Sequence, residues 1–293
     1  MLILSLLISI NPLRIYANDE SEIKLEREIK NELTLSKVTN KNQNSYRTIS
    51  IFYEGRRLNS EGRLINGITY VPLRLSINEL APDMKVSYDS KTRTITVEGA
   101  GFLMTVKDLE HTANVNGRIL FATSPSVILN DGRIYVPISI VAKALGIRLN
   151  PQGTKIEISG KITPLKNAEI FYREDEVYWL SRIISAESRG ESLLGKIAVG
   201  NVVLNRVKSS LYPNTIWGVI FDKKYGVQFS PVLDGSIYSA PTAESVLAAK
   251  IVLEGYSITA EALFFIAPRY AESSWIPKSR KYEFSIGGHD FYS

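Results

Sequence analysis

One carboxylate in this sequence stands where burial would work against its charge. Val177, Leu180 and Ile184 recur at i, i+3 and i+7, and Glu187 falls at i+10 on the same helical stripe. A carboxyl aimed at the apolar side of its own helix has its charged form disfavoured and its pKa raised, as a general acid working near neutral pH requires. The competing role is a salt bridge to Arg182, Arg189 or Arg206. Glu191 lies four residues on, where it would either act on Glu187 as a like charge or cap the following helix. Other chemistries lack their residues. The only histidines are His111 and His289, too few for the three-ligand sites typical of catalytic zinc. With no cysteine there is no thiol nucleophile, and no Gly-x-Ser-x-Gly elbow occurs. No metal or other cofactor is expected.

The elements that must hold Glu187 are two helices. Gly190 ends the first, and a second runs through Ile197, Val199, Val202 and Val203 to Val207, with Gly195 and Gly200 permitting close approach to a neighbour. Ahead of them, residues 48–160 contain an internal repeat. Its first copy has Ile65-Asn-Gly-Ile-Thr-Tyr-Val-Pro-Leu-Arg74 and an apolar stretch to Leu80, then Lys85–Asp89 and Arg93–Val97. The second has Leu129-Asn-Asp-Gly-Arg-Ile-Tyr-Val-Pro-Ile138 and Val141–Gly146, then Ile147–Asn150 and Lys155–Ile158. Pro72 corresponds to Pro137 and Leu80 to Leu145. Each copy reads as turn, strand, short helix and hairpin, with Asp89-Ser-Lys-Thr and Pro151-Gln-Gly as hairpin turns and Gly146 ending a helix.

The chain of 293 residues suits two domains plus a leader. Residues 1–17 read as a secretory signal peptide: an apolar run of about ten residues, short of the ~20 that span a bilayer, then Asn11-Pro12 and a small residue at Ala17. Residues 18–47 read as a polar linker and 161–176 as a connector. The net charge of +5 is scattered along the chain, so it favours a polyanionic partner only weakly and gives no case for nucleic acid.

Two resemblances follow from these motifs. Residues 48–160, above all Asn-Gly...Tyr-Val-Pro-Leu-Arg, resemble the copper amine oxidase N-terminal-like stalk domain, which implies a wall-associated spacer. With one histidine and no cysteine in the segment, no copper is inferred. Residues 177–293 resemble the SleB-type cell-wall hydrolases, the spore cortex-lytic enzyme family. The match rests on Ser-Ala-Glu187-Ser-Arg-Gly-Glu191, Val-Leu-Asn-Arg-Val207, Tyr212–Ile220, Gln228-Phe-Ser-Pro-Val232 and Gly287–Tyr292. The resemblance implies an α+β protein overall: a repeated β-rich stalk followed by a lysozyme-like α+β catalytic domain.

What the family implies for function is a secreted enzyme of the cell wall or spore cortex. It would act on muramic-acid-containing glycan strands, with no nucleic acid and no membrane as partner. The catalytic glutamate carries over to Glu187, and Gln228, Phe229, Ser230, Trp275 and Glu191 to substrate positioning. Phe264, Phe265 and Ala267 depart from the family's Tyr-x-Asn-Pro type of stretch by lacking a hydroxyl and an amide. For Trp217, Phe264, Phe265 and Trp275 a place in the core is the commoner role, and for His289 a structural hydrogen bond. With zinc, cysteine and serine routes lacking, a carboxylate glycosidase fits wall lysis. A lytic transglycosylase needs one carboxylate, because the substrate's own C6 hydroxyl replaces water; a muramidase would add a second, Glu191 or Asp234. A weakened wall-binding protein is the alternative outside catalysis.

Overall fold

A computed structural model describes residues 46–224, 226–269 and 275–293. The signal-peptide segment and nearly all of the polar linker lie outside the described residues. The linker's last residue, Arg47, already opens the first strand, β1 (Arg47–Tyr53).

The repeat builds the N-terminal half. Strand β2 (Arg56–Arg57) pairs with β1, and β3 (Gly62–Ile65) forms a hairpin with β4 (Ile68–Pro72), which enters helix α1 (Leu73–Leu80). The second copy does the same with β10 (Val127–Ile128), β11 (Ile134–Pro137) and α2 (Ile138–Leu145). The two copies meet through β4 and β11, antiparallel, with Val71 opposite Val136, Tyr70 opposite Pro137 and Pro72 opposite Tyr135. Each proline caps its helix at φ −69° and −53°, the range its ring imposes. Leu73, Ile77 and Leu80 face the core from α1, and Val141 and Leu145 from α2.

After the helices the copies diverge. The first hairpin, β5 (Lys85–Asp89) and β6 (Thr94–Gly99), runs on into β7 (Phe102–Lys107), β8 (Thr112–Val115) and β9 (Arg118–Phe121) as a five-stranded meander. Asp89 shapes its turn by accepting from the Lys91 amide at 2.8 Å. The second hairpin, β12 (Arg148–Gln152) and β13 (Lys155–Ser159), lays β13 parallel to β1 in an eight-stranded sheet. Its turn falls later than the sequence suggests: Pro151 is paired with Ile156 inside β12, and Gly153 takes the positive φ of 63°. One core, including Ile51, Val71, Val97, Met104, Leu120, Val136 and Ile158, serves both copies.

Gly146 does end α2, at φ +66°, and a Cβ there would meet the Thr163 carbonyl oxygen at 2.3 Å. The backbone needs glycine's freedom, and the returning chain needs the space. Gly146→Ala is expected to lower stability by about 1–3 kcal/mol; a melting temperature within error of the parent would refute both reasons.

The C-terminal half is helical with one small sheet. Its elements are α3 (Ala168–Phe171), α4 (Glu174–Ser188), α5 (Leu193–Lys208), α6 (Ile216–Ile220), α7 (Pro231–Asp234), a 3-10 turn (Ser236–Tyr238) and α8 (Ala243–Leu253). Strand β14 (Phe264–Ile266), α9 (Ile276–Ser279), β15 (Tyr282–Ile286) and β16 (His289–Tyr292) complete it, with the strands antiparallel in the order β14-β16-β15. Helix α4 starts three residues before Val177, and α5 is capped by Ser192 through the Gly195 amide. Leu180, Ile183 and Ile184 of α4 pack with Val199, Val203 and Val252. Gly200 makes this close: a Cβ there would lie 2.9 Å from Ile184 and 3.1 Å from Val252. Gly195 faces Glu191 instead of a neighbouring helix.

The connector is docked rather than loose. The amides of Thr163 and Leu165 donate to the carbonyls of Leu145 and Ala144. Tyr172, just beyond α3, reaches a buried knot between the two halves. There Arg118 of β9 donates twice to the Glu254 carboxylate at 2.8 Å, Tyr172 donates at 2.8 Å, and Lys143 of α2 lies 3.1 Å away. Phe121 packs edge-to-face on Tyr256 at 4.6 Å beside it.

Candidate active site

Glu187 sits on the last turn of α4 and opens onto a cavity of about 580 Å³. Its own stripe holds it there: Leu180, Ile183 and Ile184 are wholly buried, which fixes the rotation of the helix and leaves the last turn facing the groove. Burial pushes its carboxyl up to about 7, the nearby charge of Asp234 adds to the rise, and the Arg206 guanidinium works against it. No ion pair to Arg182, Arg189 or Arg206 holds Glu187 among the described residues. Asp234 goes the other way: its hydrogen bonds from Ser236 hold it below the ordinary carboxylate range. Two neighbouring carboxyls are thus driven apart, one toward an acid and one toward a permanent anion.

Gln228, Phe229, Ser230 and Trp275 all line the same groove as Glu187. Their roles differ. Gln228 donates to the Gly226 carbonyl at 3.0 Å, which fixes its side chain at the rim. Phe229 is only 3% exposed and belongs to the core, so it supports the wall and offers little surface to a ligand. Ser230 is exposed at the start of α7. Trp275 is 55% exposed and stands edge-to-face against Phe264 at 5.7 Å, so it is a surface platform and not core. Trp217 is equally exposed, on α6, so the expectation of a core place fails for it too. An indole that caps a short helix, or rides on its outer face, has no second layer to cover it. Phe264, at 8% exposure, does join the buried residues, and together with Phe265 it makes the departing stretch an apolar groove wall.

Glu191 is the expected site residue that the structure turns elsewhere. It is not among the groove's lining residues, and it does not cap α5. Its carboxylate accepts from the Gly288 amide at 3.2 Å and lies 3.6 Å from Nδ1 of His289. The charge that raises Glu187 is that of Asp234, not Glu191. Gly287 is part of the same clamp, because a Cβ there would run into the Glu191 carboxylate. Burial holds His289 below the usual imidazole value, and its ring meets the edge of Phe265 at 5.5 Å, so it braces the groove wall from behind.

Sequence reasoning named Arg206 only as a possible ion-pair partner of Glu187 and missed Arg280. Arg280 lies over Phe264 at 4.5 Å and over Trp275 at 5.3 Å. Arg206 lines the groove although it is only 5% exposed. A signal for it was present: Val199, Val202, Val203 and Arg206 share one face of α5, which puts a charge on an apolar stripe just as in α4. Among the described residues no three His, Cys, Asp or Glu side chains stand together as metal ligands do.

A β-rich repeat joined to a helical domain, with one buried acid on an aromatic-walled groove, defines a two-part α+β protein. Residues 53–159 match the copper amine oxidase N-terminal domain family, and residues 190–292 match the cell wall hydrolase family. The C-terminal domain is thus similar to the cell wall hydrolases, and neither family match spans half of the chain. Glu187 stands three residues ahead of the stretch matched by the family model. The chain is 37% identical over 123 residues to a spore cortex-lytic enzyme of Bacillus cereus, covering 41% of this chain and 45% of that protein. It is 33% identical over 129 residues to the spore cortex-lytic enzyme of Oceanobacillus iheyensis, covering 44% and 45%. Both matches span less than half of the curated relative. The solved catalytic domain of the germination-specific lytic transglycosylase SleB from Bacillus anthracis is 36% identical, with 42% of this chain and 97% of that one covered and a TM-score of 0.38.

Proposed function

We propose that this protein is a secreted peptidoglycan lytic transglycosylase of the cell wall or spore cortex, with Glu187 as its single acid and base. The observation that carries the reading is a carboxyl raised to about 7 by burial on the wall of an open groove. Protonated Glu187 gives its proton to the glycosidic oxygen as the bond from the anomeric carbon breaks. The C6 hydroxyl of the same muramic residue then attacks that carbon. Glu187, now a carboxylate, takes the hydroxyl proton and is restored. Trp275 offers a face for a sugar ring, and Arg280 beside it a cation for an acidic strand. The N-terminal domain would act as a wall-associated spacer that hydrolyses nothing.

Mass spectrometry of the released muropeptides tests this directly: 1,6-anhydromuramic ends are expected. Reducing ends would instead support a muramidase, a second reading that Asp234 favours, because it remains ionised while its charge reaches Glu187. Glu191 no longer serves that reading, since its carboxylate is committed to the Gly288 turn. The acid form of Glu187 is required at the outset, so kcat/KM on isolated sacculi is expected to fall as pH rises through about 7. A profile flat from pH 5 to 9 would remove Glu187 from the role of acid.

A further inference from the structure

Arg206 is a buried cation whose placement the single-acid reaction does not explain. Its Nε donates to the Leu263 carbonyl at 2.7 Å, while Nη1 is buried without a hydrogen-bond partner among the described residues. No carboxylate among the described residues lies within ion-pair distance of it. Aromatic rings surround the guanidinium: Tyr212 at 5.0 Å, Phe229 at 5.1 Å and Phe264 at 5.5 Å. Desolvation of the charge favours the neutral form and lowers the pKa of the group. An unsatisfied buried donor on a cation is among the less tolerable features of a protein interior, and this one lines the groove that holds Glu187.

We propose that Arg206 is a specificity-determining residue whose free Nη1 receives the carbonyl oxygen of a 2-acetamido group, on the sugar bound beside Glu187. The chemistry of the pocket selects that substituent. A free N–H on a side chain only 5% exposed admits a small oxygen acceptor and not a branched chain. The rings of Phe229 and Phe264 supply an apolar lining for the acetamido methyl next to the carbonyl. A carbonyl donated to by a guanidinium forms a charge-assisted hydrogen bond without burying a second charge. Holding the acetamido group also sets the rotation of the sugar ring, and so the position of its anomeric oxygen relative to Glu187.

This rests on the glycan-cleaving reading, and binding separates the two. The full chain carrying Glu187→Gln is titrated by calorimetry with peptide-free glycan strands, either fully N-acetylated or chemically de-N-acetylated. The acetylated strand is expected to bind about 10- to 100-fold tighter, and a further Arg206→Gln change is expected to shrink that ratio to about threefold or less. Repulsion of free amines by Arg280 is common to both proteins, so only the Arg206-dependent part of the ratio counts. If Arg206→Gln lowers the melting temperature sharply, Arg206→Lys takes its place; it keeps the charge but lacks the fork, and most of the ratio should still vanish. Equal binding of the two strands, binding of neither, or a ratio indifferent to Arg206 overturns the proposal. Cleavage of unmodified strands by the parent protein reports on the glycan-cleaving reading independently.

Discussion

Replacing Glu187 with glutamine is expected to abolish glycan cleavage, with a rate loss of about 10²–10⁴-fold from the missing proton transfer. The amide preserves the shape of the carboxyl and has no proton to give or base to offer. The same change should raise stability above neutral pH. In the folded protein the carboxyl titrates near 7, against an ordinary value of 4.5. Its stabilising contribution is therefore complete below about 4.5 and is lost as pH rises through 7. Glutamine does not titrate, so at pH 8 the variant should exceed the parent by about 1–3 kcal/mol. Turbidity loss of purified sacculi and thermal melting at pH 5 and pH 8 check the two halves. Near-parental lysis would defeat the acid–base assignment, and a stability difference equal at both pH values would contradict the raised pKa.

Glu254→Ala is expected to cost about 3–5 kcal/mol, the range for breaking a buried ion pair from one side. The change strands Arg118, whose side chain is 8% exposed, and leaves Lys143 and the Tyr172 hydroxyl without the carboxylate they share. Burial by itself would raise the Glu254 carboxyl, but the hydrogen bonds from Arg118 and Tyr172 and the charge of Lys143 outweigh it and hold it low. Its stabilising contribution is present above the ordinary value of 4.5 and disappears as pH falls below it. Melting of the full chain should therefore differ strongly between parent and Glu254→Ala at pH 7 and converge toward acid. Because Glu254 caps the C-terminal end of α8, and α8 packs against β9 of the N-terminal half, the same variant should loosen the contact between the two halves. A cooperative melt at the parental temperature at pH 7 would show the knot to be dispensable.

Several features were legible because they depend on local pattern. Glu187 on the stripe of Val177, Leu180 and Ile184 announced both the helix and the buried acid, since a period of 3.6 residues fixes which side chains share a face. The repeat announced its strand-helix-hairpin units, because Pro72 and Pro137 restrict φ and Gly146 tolerates a positive one, whatever the surroundings. The place of Gln228, Phe229 and Ser230 beside the acid came from the family resemblance and not from local pattern; the three line the groove that holds Glu187. What local pattern could not carry was everything set by distant chain. Whether Glu191 faces the groove depends on a turn at Gly287–Gly288 nearly a hundred residues later, which offers its amide to that carboxylate. Whether Trp217 and Trp275 are covered depends on which elements pack over them, and among the described residues both stay 55% exposed. That Asp234, rather than Glu191, sets the charge felt by Glu187 depends on how α7 lies against α4. The joining of the two halves is the extreme case, because Arg118, Lys143, Tyr172 and Glu254 are separated by up to 136 residues. Hydrophobic periodicity is a property of neighbours along the chain, whereas charge pairing, exposure and the shape of a groove are properties of neighbours in space.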